Sequence, residues 1–139
     1  RTLASECRLL FSSSPRRREP SVRGWFPAFA GMTVLINPVV TPIGEDISYD
    51  WEGCLSVPGM TGLVPRPRQV RLVADTMDGD GIDMELSGFH ARVVQHECDH
   101  LDGILYPQRM DDMSLLMFNE EMRHGIPERA QILMDKADD

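Results

Sequence analysis

The stretch Gln95-His96-Glu97-Cys98-Asp99-His100 decides how this chain is read. Ser87 is placed to cap a helix, Phe89, Val93, Glu97 and His100 follow at helical spacing, and Gly103 is placed to end it. Two His four residues apart lie about 40° apart around a helix, one turn above the other, so both imidazoles can meet one ion. Glu97 is turned by about 100° from His96, which leaves its carboxylate beside such an ion. A base acting on metal-activated water needs that position. Cys98 lies about 200° round the helix from His96 and reads as packing.

A catalytic ion needs a third protein ligand, and three residues compete for the place. Tyr106, the sixth residue after His100, is a poor donor where a third His would serve. Glu120 stands twenty residues after His100, behind Asn119, as the third carboxylate of a thermolysin-like peptidase would. Cys54, in Glu52-Gly53-Cys54-Leu55-Ser56, offers a thiolate, a softer and stronger donor than a carboxylate. A free Cys is also often a buried small hydrophobe.

Around the helix the pattern is mostly that of strands. Residues 34–40 are β-branched and apolar, interrupted by Pro38, and read as an edge or terminal strand. Residues 41–49 read as a polar loop. Over 69–76, Val70, Leu72 and Ala74 alternate with Arg71, Val73 and Asp75. Asp78-Gly79-Asp80-Gly81 then signals a turn, and 82–86 returns as the second arm of a hairpin. Residues 104–106 suit a short strand stopped by Pro107. Asp111 or Asp112 can cap a second helix over 113–123, closed by Gly125, and Pro127 can open a short last one.

Composition bounds the function. A chain of 139 residues with 42% hydrophobic content suits one domain. The net charge of −8 argues against nucleic acid as the main partner. No run of about 18 apolar residues occurs, so no helical membrane span is expected. Three widely spaced Cys, at 7, 54 and 98, do not make a secreted disulfide framework, which points to a reducing, cytoplasmic compartment. Charge divides the chain. Residues 1–33 carry six Arg against two acids, and the rest carry eight basic and twenty acidic side chains. The first piece, with Ser12-Ser13-Ser14 and Arg16-Arg17-Arg18, fits a poorly ordered leader or sequence foreign to the domain; an organelle transit peptide has a similar make-up. The expected division is a leader over 1–33, a metal-binding domain over 34–125 and a tail over 126–139.

The two segments Glu52-Gly53-Cys54-Leu55-Ser56 and Gln95-His96-Glu97-Cys98-Asp99-His100-Leu101-Asp102-Gly103, in this order and about forty residues apart, resemble the second and third motifs of peptide deformylases. The resemblance extends through Ile36-Asn37-Pro38, Val57-Pro58, Val64-Pro65-Arg66 and Leu105-Tyr106-Pro107. It implies an α+β fold, with antiparallel sheets packed around the ligand-bearing helix. It also implies that Cys54, His96 and His100 bind one divalent ion, ordinarily Fe(2+), with Zn(2+), Ni(2+) or Co(2+) able to replace it. The implied activity removes the formyl group from N-formyl-methionyl nascent peptides, near the ribosome, with Glu97 as general base and acid. The Leu55 backbone N–H would hold the oxyanion, Gly53 would line the substrate cleft, and Arg66 would pair with the substrate backbone. Phe89 and Val93 could wall the methionine pocket or belong to the core. Asp99 and Asp102 could orient the imidazoles or be solvated carboxylates on the helix.

The family's first motif, Gly-x-Gly-x-Ala-Ala-x-Gln, finds no match in residues 1–33, which contain no Gln. The expectation is therefore an altered or amino-terminally truncated member, weak or inactive, because one lost oxyanion donor costs about 10²–10³ in rate. A thermolysin-like peptidase using Glu120 and a non-catalytic, metal-stabilised remnant are the alternatives.

Overall fold

The computed structural model describes residues 8–11 and 33–138. Two antiparallel sheets enclose one central helix. Strands β1 (Arg8–Phe11), β2 (Thr33–Pro42), β5 (Gln69–Asp75) and β6 (Gly81–Ser87) make a four-stranded sheet in the order β1-β2-β5-β6. Strands β3 (Ile47–Cys54), β4 (Val57–Pro67) and β7 (Leu116–Phe118) make a three-stranded sheet in the order β3-β4-β7. Helix α1 (Gly88–Leu101) follows β6, and helix α2 (Glu128–Asp138) closes the chain.

The alternation over 69–76 does what a half-buried strand requires. Val70, Leu72 and Ala74 are buried while Arg71, Val73 and Asp75 face outward. With Leu35 and Leu86 they form a core against Ala91 and Val94 of α1, and Cys98 packs at its margin. Cys98 is therefore packing, as its angle on the helix implies. A second core joins Leu63, Leu115 and Ala130, and Tyr49, Trp51 and Met110 pack against it. Pro38 does not end β2. The register against β5 shifts between Ile36 and Val39, and Asn37 takes φ 51°, so the strand absorbs the proline in a bulge.

The end of α1 is built as its sequence suggests. Gly103 adopts φ 72°, its N–H donates to the His100 carbonyl at 3.2 Å, and the Ile104 N–H donates to the Asp99 carbonyl at 2.9 Å. That pair of bonds is a Schellman ending, which a left-handed glycine makes without strain. The start differs. Ser87 is extended, but its hydroxyl caps nothing.

Four stretches depart from expectation for tertiary reasons. Arg8–Phe11 forms a strand within the piece read as leader, paired with β2 from Arg8↔Ile36 to Phe11↔Thr33. The remaining leader residues, 1–7 and 12–32, lie outside the described residues. The loop expected over 41–49 is short, because Ile47 already pairs with Pro67. Residues 104–106 make no strand; Tyr106–Arg109 is a 3₁₀ turn with Pro107 near its start. The helix expected over 113–123 is instead a 3₁₀ turn (Met113–Leu115), strand β7 and a second 3₁₀ segment (Asn119–His124). Its middle is taken by pairing of Met117 with Thr61 and Leu116 with Gly62. No helix among the described residues is long and apolar enough to cross a membrane.

Candidate metal centre

Cys54 is the last residue of β3, where the hairpin with β4 turns through Leu55 and Ser56. The register shifts between Gly53 and Cys54, so the ladder loosens where the thiol emerges. His96 and His100 lie one turn apart on α1. Two residues along a strand advance about 7 Å and four along a helix about 6 Å. The matched spacing lets Glu52 and Cys54 of β3 meet His96 and His100 in parallel. The Glu52 carboxylate accepts from His96 Nδ1 at 2.8 Å, and Cys54 Sγ lies 3.3 Å from His100 Nε2. The two imidazoles sit edge to face, centroids 4.9 Å apart.

One ligand atom from each of Cys54, His96 and His100 can be chosen so that all lie within 4.8 Å of one another. A thiolate with two imidazoles suits Fe(II), Zn(II), Co(II) or Ni(II), and three ligands leave a position for water or substrate. With Nδ1 engaged by Glu52, His96 has Nε2 left for an ion. The donors therefore fit a divalent transition metal.

The surrounding electrostatics prepare these donors. Burial pushes the Cys54 thiol up, but the Ser56 N–H and His96 outweigh it and hold the thiol below its ordinary value. Burial likewise disfavours the Glu52 carboxylate, yet His96, Arg66 and Arg92 overcome that and hold it at about 2. His96 is raised to about 8, chiefly by its bond to Glu52, against the opposing effect of burial.

The other expected site residues lie around these donors in the hairpin and on α1. Glu97 follows His96 directly and is half-buried. Leu55 is fully exposed at the hairpin turn, and Gly53 is exposed beside Cys54. Phe89 is 73% exposed, which removes the core-packing alternative for it, and Val93 is half-buried. Gln95 donates to the carbonyls of Pro67 and Ala91 and points away from the donors.

Others are corrected. Arg66 is buried in the wall of a cleft that Asp99 and Arg109 also line. It is 4% exposed and gives Nε and Nη2 to Glu52 and Nη1 to Asp99, so three of its five N–H groups are held by buried carboxylates. Asp99 neither orients an imidazole nor meets solvent: it is buried, held by Arg66 and by Arg109 at 2.6 Å. Glu120 lies exposed on the second 3₁₀ segment and is not in the donor group. A cleft of ≈ 520 Å³ opens on the other side of α1, past Cys98 and Asp102, and none of the three donors lines it.

Sequence reading missed the orienting role of Glu52. The only available signal was its place two residues before Cys54, the strand period that puts both side chains on one face.

The model of the polypeptide deformylase family matches residues 6–115. The chain belongs to that family. The match begins ahead of the boundary drawn at residue 33 and takes in β1. Among curated relatives, peptide deformylase 1 of Nitrosomonas europaea is 55% identical over 93 residues, covering 67% of this chain and 53% of the relative. Peptide deformylase 1 of Prochlorococcus marinus is 49% identical over 106 residues, covering 76% of this chain and 55% of the relative. The chain thus spans about half the length of the curated relatives it matches. A solved class I type b peptide deformylase of Acinetobacter baumannii with bound Met-Ala-Ser aligns at a TM-score of 0.55 and 39% identity, over 57% of this chain and 50% of that one. The actinonin complex of the Synechococcus elongatus peptide deformylase aligns at 0.57 and 34%, over 71% and 54%. These structures agree with the antiparallel α+β architecture described above.

Proposed function

We propose that this chain is a deformylase-type metallohydrolase that cleaves the formyl group from N-formyl-methionyl peptides and releases formate. The observation that carries the reading is the convergence of Cys54, His96 and His100, with Glu97 next to the first imidazole. The resident ion we propose is Fe(2+), with Zn(2+), Ni(2+) or Co(2+) as replacements. Bound there, such an ion supplies Lewis acidity and a water of lowered pKa. The chain's own residues do the rest. Glu97 takes the water's proton and later delivers it to the leaving amine of methionine. The Leu55 N–H donates to the oxygen on which charge develops, and Gly53 lets the peptide approach the end of β3. Phe89 and Val93, on the helix before the donors, face the methionine side chain. The bacterial relatives support a cytoplasmic setting, and the substrate we propose is a nascent chain close to the ribosome.

Turnover of the 139-residue chain is expected to be slow. Residues 1–33 hold no Gln to serve as the second oxyanion donor, and that loss is worth about 10²–10³ in rate. The test loads the chain with Fe(2+) anaerobically and measures both bound metal and formate release from a formyl-Met peptide. Slow release that disappears in Glu97→Ala, with metal still bound, supports the reading. Stoichiometric metal with no release dependent on Glu97 overturns the enzyme and leaves a metal-stabilised module.

A further inference from the structure

The side of α1 that bears the two imidazoles carries a third functional group one turn earlier. Arg92, His96 and His100 follow at four-residue spacing, and all three reach toward β3. Arg92 is 6% exposed, and both terminal nitrogens of its guanidinium are engaged. Nη1 donates to Glu52 Oε1 at 2.7 Å and to the Val64 carbonyl at 2.9 Å. Nη2 donates to the Ser48 carbonyl at 2.8 Å and to the Ser48 hydroxyl at 3.2 Å. Two strands are thereby tied to the helix that supplies the imidazoles.

What this does to Glu52 follows from counting its acceptor sites. Oε1 accepts from Arg66 Nε at 2.6 Å and from Arg92 Nη1. Oε2 accepts from Arg66 Nη2 at 3.0 Å and from His96 Nδ1. A carboxylate has about four lone-pair directions, and all four are used. The Arg66 fork holds both carboxylate oxygens from the β4 side. Arg92 loads Oε1 from the helix side and holds the carboxylate plane so that Oε2 stays aimed at His96 Nδ1. The orientation of His96 toward Cys54 and His100 depends on that aim.

We propose that Arg92 is a positioning residue for the metal centre, acting through Glu52 to keep Nε2 of His96 turned toward Cys54 and His100. The proposal rests on the metal-binding reading above. It goes beyond that reading in assigning a determinant of affinity to a side chain that touches no ligand atom of the ion.

The test uses Co(2+) with the full chain. Titration is followed through the thiolate charge-transfer band and the visible d–d bands, with far-UV circular dichroism to confirm folding. Wild type is expected to bind one Co(2+) per chain. Arg92→Met is expected to bind it about 10–100-fold more weakly, with altered d–d intensity, and Arg92→Lys to recover part of the loss. A lysine keeps the charge near Glu52 but cannot serve Ser48 and Val64 at the same time. A folded Arg92→Met with wild-type affinity and wild-type bands overturns the proposal, even if it melts earlier, because Arg92 is then only structural. If Arg92→Met does not fold, Arg92→Lys decides: weaker binding with shifted bands supports the proposal, and unchanged binding and bands overturn it. Wild type that takes up no Co(2+) overturns the metal-binding reading and this inference with it. Wild type that binds, alongside indifferent variants, overturns this inference alone.

Discussion

Glu52 and Arg66 show how much of a candidate metal site is made by residues outside its donor set. Both lie nearly out of solvent, and together with Arg92, Asp99 and Arg109 they form a charge network between β3, β4 and α1. Such a network persists only when each charge keeps its partners, because an isolated buried charge costs far more than an ion pair returns. Arg66 carries the largest share, since it holds two carboxylates at once. Arg66→Met is therefore expected to destabilise the chain by about 3–5 kcal/mol, read as a lowered midpoint in urea at constant slope. A substrate-contacting Arg on an open surface would lose turnover and leave the midpoint where it was. An unchanged midpoint would accordingly return Arg66 to the substrate cleft.

At the scale of elements, the hairpin of β3 and β4 sets the site, and one glycine allows it to pack. Gly62 pairs with Glu52 on one side and Leu116 on the other, in the middle of the three-stranded sheet. A Cβ there would meet Met110 Sδ at 2.5 Å and the Tyr106 ring at 3.1 Å. The methionine tip can swing away. The Tyr106 ring, 1% exposed and stacked at 6.3 Å from the His96 ring, has no room to follow. Gly62→Ala is expected to cost about 1–3 kcal/mol in thermal or chemical denaturation. A neutral result would show that Tyr106 is not tightly held against His96. The same sheet explains why 113–123 misled a reading by spacing. Leu116 and Met117 fall at positions a helix would bury, but pairing with β4 satisfies their backbone in an extended form that no local pattern announces.

Over the whole molecule, the three candidate donors come from parts that otherwise belong to different cores. Cys54 comes from the hairpin whose sheet carries the Leu63–Leu115–Ala130 core, and the imidazoles come from the helix that packs on the other sheet. An ion gripping all three would link the two halves and bind only the folded arrangement, so its affinity becomes stability. At a free concentration one hundredfold above its dissociation constant, the ion is expected to add about 2.7 kcal/mol. For a chain of this size that raises the melting temperature by roughly 10 °C. Scanning fluorimetry with Co(2+) or Zn(2+), with and without chelator, measures it. A melting temperature indifferent to both metal and chelator would separate the centre from the fold.

The residues 95–100, the Glu52–Ser56 segment, the alternation over 69–75 and the ending at Gly103 were all legible in the chain itself. Each depends on a short-range rule: the helical period that brings His96 and His100 to one face, the strand period that buries Val70, Leu72 and Ala74, or a backbone angle that glycine accepts. The family, and with it the α+β class, rested instead on the resemblance of Glu52–Ser56 and of residues 95–103 to two motifs of peptide deformylases. The company these residues keep was a different matter. That Glu52 bonds His96, that Arg66 is held by two carboxylates, and that Asp99 is buried between two arginines all depend on contacts between side chains ten to forty-four positions apart. A charged side chain looks the same in the sequence whether it ends in water or in a salt bridge. Only the closing of β3 and β4 onto α1 excludes the water and settles which it is.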